Sequence, residues 1–510
     1  MHRYRHLLLL CCLYNASCTK NFDRINTDPL RSKDITPGAQ LSAAAYYITG
    51  GRDMAYANLY MLLPVVQYIN GAWGMRIGTK YVVDDDFYLD RLWEITYSKS
   101  LKQLVDLIER HKTDSSKTNY IAAARILKVY IFSILTDAYG DIPYSEAGLG
   151  YYQQLYTPQY DRQQDIYHHF FEELNAAAAL LDPAKTPLTN DIVYNGDLQK
   201  WKCLAASLRL RLGMRLSAVD EQKARTEVQA AVQMGVMQSR ADNFRMIHEA
   251  FAFPDLRGNG LSQALQEAQS FRRTVGCNTF VNFLKQEQDP RLPAFFISQD
   301  EQGRDITHLT NYISIKPGLY WWDEWQDFTA ADGTVIPQAS KYCFINKPFC
   351  ELAAPFLHMG YAEICLLLAE AISRGWITGN ADSWYQQGIR TAMEQLEMYP
   401  GMPPIPQQQV NAFLHTHHLT PGNTLRQILM QQWVALFPNG YEAYALQRRT
   451  GFPVLEKITD EKSESATAGI PPRRLFYPRT EAFSNNRHYQ DALDRIGGKN
   501  DWLQPVWWDK

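Results

Sequence analysis

Residues 121–143 read IAAARILKVYIFSILTDAYGDIP, and the expected architecture of the chain can be built outward from them. Fourteen of the nineteen residues from Ile121 to Tyr139 are apolar, and the five polar ones fall on one side of a helix with 3.6 residues per turn. One neighbouring helix cannot cover so wide an apolar surface, so we predict a core helix that packs between at least two others. Gly140 suits a C-terminal cap, and Pro143 prevents continuation.

Further helical patterns occur on both sides of this segment, and they come in close pairs. Helices stacked in antiparallel pairs resemble tetratricopeptide-type solenoids, in which each pair covers the apolar face of the one before. We therefore predict a mainly α fold with a tetratricopeptide-like α/α solenoid frame, on the evidence of helix length and spacing. The predicted helices are Leu92–His111, Asp165–Leu181, Leu198–Ser217, Glu221–Met234, Tyr361–Arg374, Ala381–Met398, Leu425–Leu436 and Glu442–Arg449.

The composition changes after residue 250, where glycine, proline, threonine and clustered aromatic rings become frequent. This pattern predicts a loop-rich insertion that carries a few short strands. We expect one domain over residues 41–510. Its parts are a helical frame over 41–250 and 355–455, the insertion over about 251–354, and C-terminal loops over 456–510.

The N-terminus has the pattern of a bacterial export signal over residues 1–17. Arg3 and Arg5 give a positive start, Leu7–Leu13 is apolar, and Ala16-Ser17 places small residues before Cys18. An apolar run this short cannot cross a bilayer, which takes roughly twenty residues. We predict a lipoprotein signal, with Cys18 as the lipid attachment site and residues 18–40 as a tether. The alternative is ordinary secretory cleavage.

Composition narrows the class of function. The formal net charge of −3, from 51 basic and 54 acidic residues, argues against general nucleic-acid binding. Aromatic residues make up 13% of the chain, which is more than a helical core requires, so we expect some rings on loops. The cysteines after Cys18 are widely spaced and predict neither a disulfide framework nor a zinc site. A bond between Cys343 and Cys350 is left open.

Three C-terminal segments together resemble the SusD/RagB family of outer-membrane nutrient-binding lipoproteins, in its SusD-like branch. They are YAEICLLLAEAISRGW (361–376), ILMQQWVALFPNGYEAYALQRRTGFPVL (428–455) and IPPRRLFYPRTEAFSN (470–485). The earlier YGDIPYSEA loop and the start CTKNFDRINTDP are also similar to the family. The resemblance extends from Cys18 to the last residue, and the order and spacing of the motifs carry it.

The resemblance implies a lipid-anchored protein on the outside of the outer membrane, without a catalytic step or a cofactor. Such a protein binds an extracellular oligosaccharide, or in some members a peptide, and delivers it to a SusC-like TonB-dependent transporter. Sugar rings present flat C–H faces and directional hydroxyls, so a binding site needs aromatic platforms beside carboxylates and amides. The segment YWWDEWQD supplies both, and its candidate residues are Tyr320, Trp321, Trp322, Asp323 and Trp325. The alternative is that these rings cover a neighbouring helix or the partner.

A second group of candidates lies in an early glycine-containing loop, residues 67–88. Trp73 and Tyr81 supply rings there, and Asn70 supplies an amide. Asp84-Asp85-Asp86 could hold calcium, but adjacent residues cannot all turn to one ion, so a solvated acidic loop is the favoured interpretation.

An enzyme is disfavoured, since the chain lacks a nucleotide-binding loop, a zinc-binding HExxH motif and a nucleophile elbow. A helical glycosidase with an acid pair that includes Asp323 remains the alternative enzyme class.

Two basic motifs near helix ends have a structural interpretation, which we favour over the alternative that they bind ligand. Arg448 and Arg449 follow an apolar helix, and their forked donors can bridge carboxylates or carbonyls between the last helices. Asp289-Pro290-Arg291 predicts a helix stop with an internal ion pair. Asn439-Gly440 predicts a turn with positive backbone angles.

Overall fold

The computed structural model describes residues 35–71, 73–83, 86–267, 274–298, 308–319, 328–329, 335–336, 342–458 and 464–510. The predicted signal, Cys18 and most of the predicted tether lie outside these ranges.

Helices dominate the architecture, which confirms the mainly α prediction. The α-helices are α1 Pro37–Thr49, α2 Arg52–Tyr56, α3 Leu63–Val65, α4 Arg76–Lys80, α5 Asp86–Ile95, α6 Lys102–His111, α7 Thr118–Tyr139, α8 Gly150–Gln153, α9 Gln163–Leu180, α10 Leu198–Arg215, α11 Glu221–Met234, α12 Gly260–Gln266, α13 Asn278–Gln286, α14 Leu292–Phe295, α15 Tyr361–Ser373, α16 Ala381–Glu394, α17 Gln407–Thr416, α18 Thr424–Ala435, α19 Gly440–Thr450, α20 Glu481–Ser484 and α21 Asn486–Arg495. Single π-helical turns at Ala57–Leu62 and Thr96–Leu101 join neighbouring α-helices. Short 3₁₀ turns occupy Trp73–Met75, Leu216–Ala218, Arg240–Asp242, Leu309–Asn311, Lys347–Cys350 and Gln395–Met398.

Strands are short, as expected, and pair in small antiparallel sheets. One sheet has the order β1-β5-β9-β6, and the pairs β10-β4, β2-β3 and β7-β8 form the others. The strands are β1 Ile69–Gly71, β2 Ile142–Pro143, β3 Tyr160–Asp161, β4 Phe244–Met246, β5 Thr274–Gly276, β6 Phe296–Ile297, β7 Phe328–Thr329, β8 Val335–Ile336, β9 Phe344–Ile345 and β10 Phe356–Met359.

The core helix predicted from the apolar run is α7, and it is buried along nearly its whole length. It packs against α6 and α9, and α9 in turn packs against α10. The series continues from α10 to α11 and α15, and from α15 to α16 and α18. Each helix thus covers the apolar face of another, which confirms the solenoid-like stacking. Gly140 ends α7 with a φ of 84°, as expected for a C-terminal cap.

Three details differ from the sequence-based expectations. Helix α1 begins at Pro37, inside the predicted tether, because the Thr36 hydroxyl accepts a hydrogen bond from the Ala39 amide and Pro37 suits the first turn. The C-terminal region contains α20 and α21 and is not composed of loops alone. The predicted positive-φ turn at Asn439-Gly440 is wrong, since Asn439 has a φ of −86° and caps α19 through its side chain.

Candidate functional site

The β1-β5-β9-β6 sheet joins the helical frame to the loop-rich insertion. Strand β1 belongs to the early glycine-containing segment, and the other three strands belong to the insertion. Asn70 lies opposite Val275, and Val275 lies opposite Phe344. The sheet therefore joins the early glycine-containing segment to the described part of the insertion.

Asn70 holds the chain in place just before residues 320–327, the aromatic segment YWWDEWQD. Its Nδ2 donates to the carbonyl oxygens of Lys316 and Leu319, each at 2.8 Å. The residue is only 1% exposed, so its Nδ2 is occupied by these two carbonyls and does not face solvent. Asn70 was predicted to contact ligand directly, and the structure instead gives it a positioning role beneath residues 316–319.

The chain returns to the same sheet after the aromatic segment. Tyr342 packs with Val275 and Ile315 in a small apolar cluster, and Leu319 packs against this cluster. The Cys343 amide donates to the Ile313 carbonyl at 2.7 Å. Both described ends of the segment that carries the candidate rings, Leu319 and Tyr342, are thus held at the sheet.

The backbone of Trp73 lies in a 3₁₀ turn that approaches a cluster of tyrosines. A Cβ on Gly74 would come within 2.2 Å of the Tyr60 ring, so only glycine allows this approach. Tyr60 stacks on Tyr56 at 4.8 Å between centroids, and Tyr88 meets both rings edge-on. Sequence reasoning missed this cluster, although Tyr56 and Tyr60 are spaced to share one helix face.

Tyr81 occupies a different environment from the one predicted. Its side chain is 0% exposed, so it offers no face to a ligand in this structure. Burial raises the pKa of its hydroxyl. The residue ends α4 with a φ of 56°, and its carbonyl accepts a hydrogen bond from the Ala466 amide at 2.8 Å. Tyr81 therefore helps to hold the C-terminal loop against α4.

The same loop is tied to α4 by charge. Glu464 pairs with Arg76 at 3.0 Å and with Lys80 at 3.3 Å. The segment that follows Trp73 is therefore held in two ways. Gly74 packs against the Tyr60 ring, and Arg76 and Lys80 pair with Glu464.

The remaining candidates Tyr320, Trp321, Trp322, Asp323 and Trp325 lie outside the described residues, as do Asp84 and Asp85. Among the residues that are described, no group of three or more His, Cys, Asp or Glu side chains could hold a metal ion. Cys343 and Cys350 are free, buried thiols, which answers the question of a bond between them.

The predicted structural role of the paired arginines is confirmed. Arg448 donates to the carbonyls of Asp137 and Arg473, at 2.7 and 2.9 Å. Arg449 makes a forked pair with Glu370, at 2.7 and 2.8 Å. These bonds join α19 to α7, to α15 and to the C-terminal segment.

The predicted ion pair next to the helix stop is also present. Arg291 contacts Asp289 at 2.5 Å, with both side chains fully buried. Because the pair is closed on itself and receives Gln431 as a further partner, it is part of the core and not a binding site.

Comparison with known proteins agrees with this geometry. Residues 29–478 match a SusD-like family model described as "Starch-binding associating with outer membrane". The chain matches no curated protein. A solved chitin-binding protein is 35% identical to it, with a TM-score of 0.83 over 93% of this chain and 100% of the other.

Two further solved structures are similar to this chain. A protein described as Bacteroidetes AC2a SusD-like is 30% identical, with a TM-score of 0.84 over 93% of this chain and 100% of its own. A SusD homologue from Bacteroides fragilis is 22% identical and shares the fold, with a TM-score of 0.75 over the same shares of both chains. The family model and the first of these structures are both described as binding proteins. The chain therefore belongs to the SusD-like family of starch-binding proteins that associate with the outer membrane.

Proposed function

We propose that the protein is a surface-exposed outer-membrane lipoprotein that binds an extracellular oligosaccharide and delivers it to a SusC-like TonB-dependent transporter. The observation that carries the proposal is the shared sheet. It holds both ends of the segment with the candidate rings beside the early loop that contains Asn70 and Trp73.

The ligand-contacting residues in this proposal are Tyr320, Trp321, Trp322 and Trp325, with Asp323 as the hydrogen-bonding group and Trp73 as a further ring from the early loop. A ring that stacks on a sugar adds about 0.5–1.5 kcal/mol beyond the area that it buries. Two or three such rings give the modest affinity that suits a protein that hands its ligand on. The chitin-binding relative favours a neutral glycan as ligand.

The anchor in this proposal is Cys18, which would carry the lipid after cleavage of residues 1–17. The first helix among the described residues begins at Pro37. The intervening residues can span at most ~3.3–3.6 Å each, or roughly 60 Å when fully extended. This length lets the body reach over a neighbouring transporter while it stays attached to the membrane. No helix among the described residues is both long and apolar enough for a membrane span.

Delivery needs no chemical step. A ligand that contacts both the lipoprotein and the transporter stabilises the closed arrangement through its added contacts, and energy enters only through the transporter.

The test is the double change Trp322→Ala with Trp325→Ala. We expect affinity for maltohexaose or chitohexaose, measured by calorimetry, to fall by about tenfold or more, because two stacking contacts are lost. The melting temperature should stay nearly constant. The control is Trp384→Ala on α16, where a partly buried ring packs in the core, so stability should fall and affinity should not.

Unchanged affinity in the double variant would move the site elsewhere. Stabilisation by peptides and not by glycans would favour a peptide-binding member of the family.

A further inference from the structure

A groove of about 640 Å³ lies on the helical frame. Its walls come from α1, from the loop between α9 and α10, and from the extended segment around β4. The volume falls within the roughly 300–1,000 Å³ that is typical of ligand sites. No residue that lines the groove belongs to the β1-β5-β9-β6 sheet, so the groove is separate from the site proposed above.

The floor of the groove is one face of an extended segment, residues 243–249. Successive side chains of an extended chain point to opposite sides. Phe244, Met246 and His248 are buried in the core. Arg245, Ile247 and Glu249 alternate with them and line the groove, with Ile247 58% exposed.

The loop that forms one wall is fixed in place by a buried carboxylate. Asp191 accepts hydrogen bonds from the amides of Val193 and Gly196 and from the Trp201 indole, at 2.9, 3.0 and 2.8 Å. Asn190 and Asn195 adopt φ values of 56° and 53°, which asparagine tolerates. Because these bonds already order the loop, binding a ligand would not incur the entropic cost of ordering it.

Several polar side chains in the groove have no partner within the described part of the chain. Asn190, Asn195, Lys200 and Arg245 make no side-chain hydrogen bond or ion pair there, although each lines the groove. Polar groups that converge on a cavity without binding each other are available to a ligand. Their chemistry is that of amide and cationic donors.

An aromatic ring completes the lining. Tyr46, on α1, is half-buried, and its pKa is raised by burial and then by the nearby Glu249 carboxylate. Lys200 and Arg245 contribute two positive charges to the lining, and Asp191 and Glu249 contribute two negative ones, so the lining carries no formal net charge. Charge balance favours a neutral ligand over an acidic or basic one.

We propose that this groove is a second binding site for a neutral oligosaccharide, independent of the aromatic segment. Tyr46 and Ile247 provide the apolar contact for the face of a sugar ring. The asparagine amides, Arg245 and Glu249 bind its hydroxyl groups. A chain held at two separate sites on one protein dissociates more slowly than a chain held at one, because release of either site leaves the other engaged.

The experiment measures binding of maltohexaose and chitohexaose by calorimetry in the Trp322→Ala, Trp325→Ala background, where the first site is disabled. Residual binding is expected there. Adding Asn195→Ala and Arg245→Ala should weaken it by about tenfold or more, equivalent to about 1.4 kcal/mol. The matched control adds Gln222→Ala and Arg225→Ala on α11, which removes the same types of group from an exposed helix face and should change nothing.

Each outcome decides the proposal. It is overturned if the tryptophan variant binds neither hexasaccharide, or if its residual binding is indifferent to the groove changes. If the tryptophan changes leave full affinity and the groove changes remove it, the groove is the main site and the proposal for the aromatic segment fails instead. Melting curves of every variant show whether a loss of binding reflects a loss of folding.

Discussion

At the scale of single residues, Asn70 shows how one buried amide supports a site without touching a ligand. Replacing it with alanine removes this donor from the Leu319 carbonyl and leaves the Lys316 carbonyl with the Leu319 amide alone. We expect Asn70→Ala to lower the free energy of unfolding by about 1–3 kcal/mol, measured by urea denaturation. Amide exchange near Ile315 should also become faster. Asn411→Ala, at an exposed position on α17, is the control; an equal loss in both variants would contradict the role of Asn70.

Gly440 is required by its surroundings and not by its backbone angles. A Cβ there would lie 2.5 Å from the Asn58 side-chain oxygen and 3.0 Å from the Leu62 Cβ. That oxygen also accepts a hydrogen bond from the Gly440 amide at 2.7 Å. Gly440→Ala should therefore destabilise the fold by about 1–3 kcal/mol, since overpacking displaces α19. Gln447→Ala on the same helix should be nearly neutral. A Gly440→Ala variant of full stability would show that α19 can shift without cost.

At the scale of helices, one buried carboxylate joins three of them. Glu370 on α15 binds Arg449 on α19 and Gln432 on α18, and it is 0% exposed. Burial raises the pKa of Glu370, but the Arg449 and Arg374 guanidinium groups and the Gln432 amide together outweigh this and hold the pKa at about 2. The unfolded chain then binds more protons than the folded one below the usual pKa of about 4.5. The stabilisation is complete above that pH and is lost as the pH falls towards 2.

This linkage can be measured with Glu370→Gln. The difference in unfolding free energy between the natural protein and the variant should be largest near pH 6. It should shrink by roughly 3 kcal/mol as the pH falls from 5 towards 2, as far as folding persists. Glu172→Gln, at an exposed position on α9, should give no such trend. A pH-independent difference would mean that Arg449 does not depress the pKa of Glu370.

At the scale of the whole molecule, the C-terminal tail closes the structure onto its core helix. Trp508 is fully buried, and its indole donates to the Asp137 carboxylate on α7 at 2.9 Å. Its ring also lies 4.7 Å from the Arg448 guanidinium. We expect Trp508→Ala to destabilise the protein by about 3–5 kcal/mol in chemical denaturation. Lys510→Ala, two residues on and exposed, is the control, and a small effect at Trp508 would mean that the tail is dispensable.

Attachment to the membrane is a separate property of the whole molecule. If Cys18 carries the lipid, Cys18→Ser should abolish labelling by a radioactive fatty acid and release the protein from the outer-membrane fraction. The melting temperature of the purified body should not change, since Cys18 lies well before the first described helix, which begins at Pro37. Cys12→Ser, inside the predicted signal, is the matched control and should keep the label. Continued labelling of the Cys18 variant would contradict the proposed anchor.

The sequence by itself determined the helical frame, because the apolar periodicity of a helix depends only on residues that are close together in the chain. Helix α11 has both ends where Glu221–Met234 placed them, and α7 is buried as its wide apolar surface required. The sequence also predicted the structural roles of two charged motifs. Asp289 and Arg291 were expected to pair with each other, and Arg448 and Arg449 to bridge carboxylates or carbonyls, since charged groups near apolar helix ends need partners.

Only the tertiary structure decided which polar and aromatic residues face the solvent. Tyr81 and Asn70 were predicted to meet a ligand, but both are buried. Gly440 is explained by Asn58, and the groove unites Tyr46, Asn195 and Arg245 from three separate segments. Burial and hydrogen-bond partners arise between residues far apart in the chain, and no local pattern of residues contains that information.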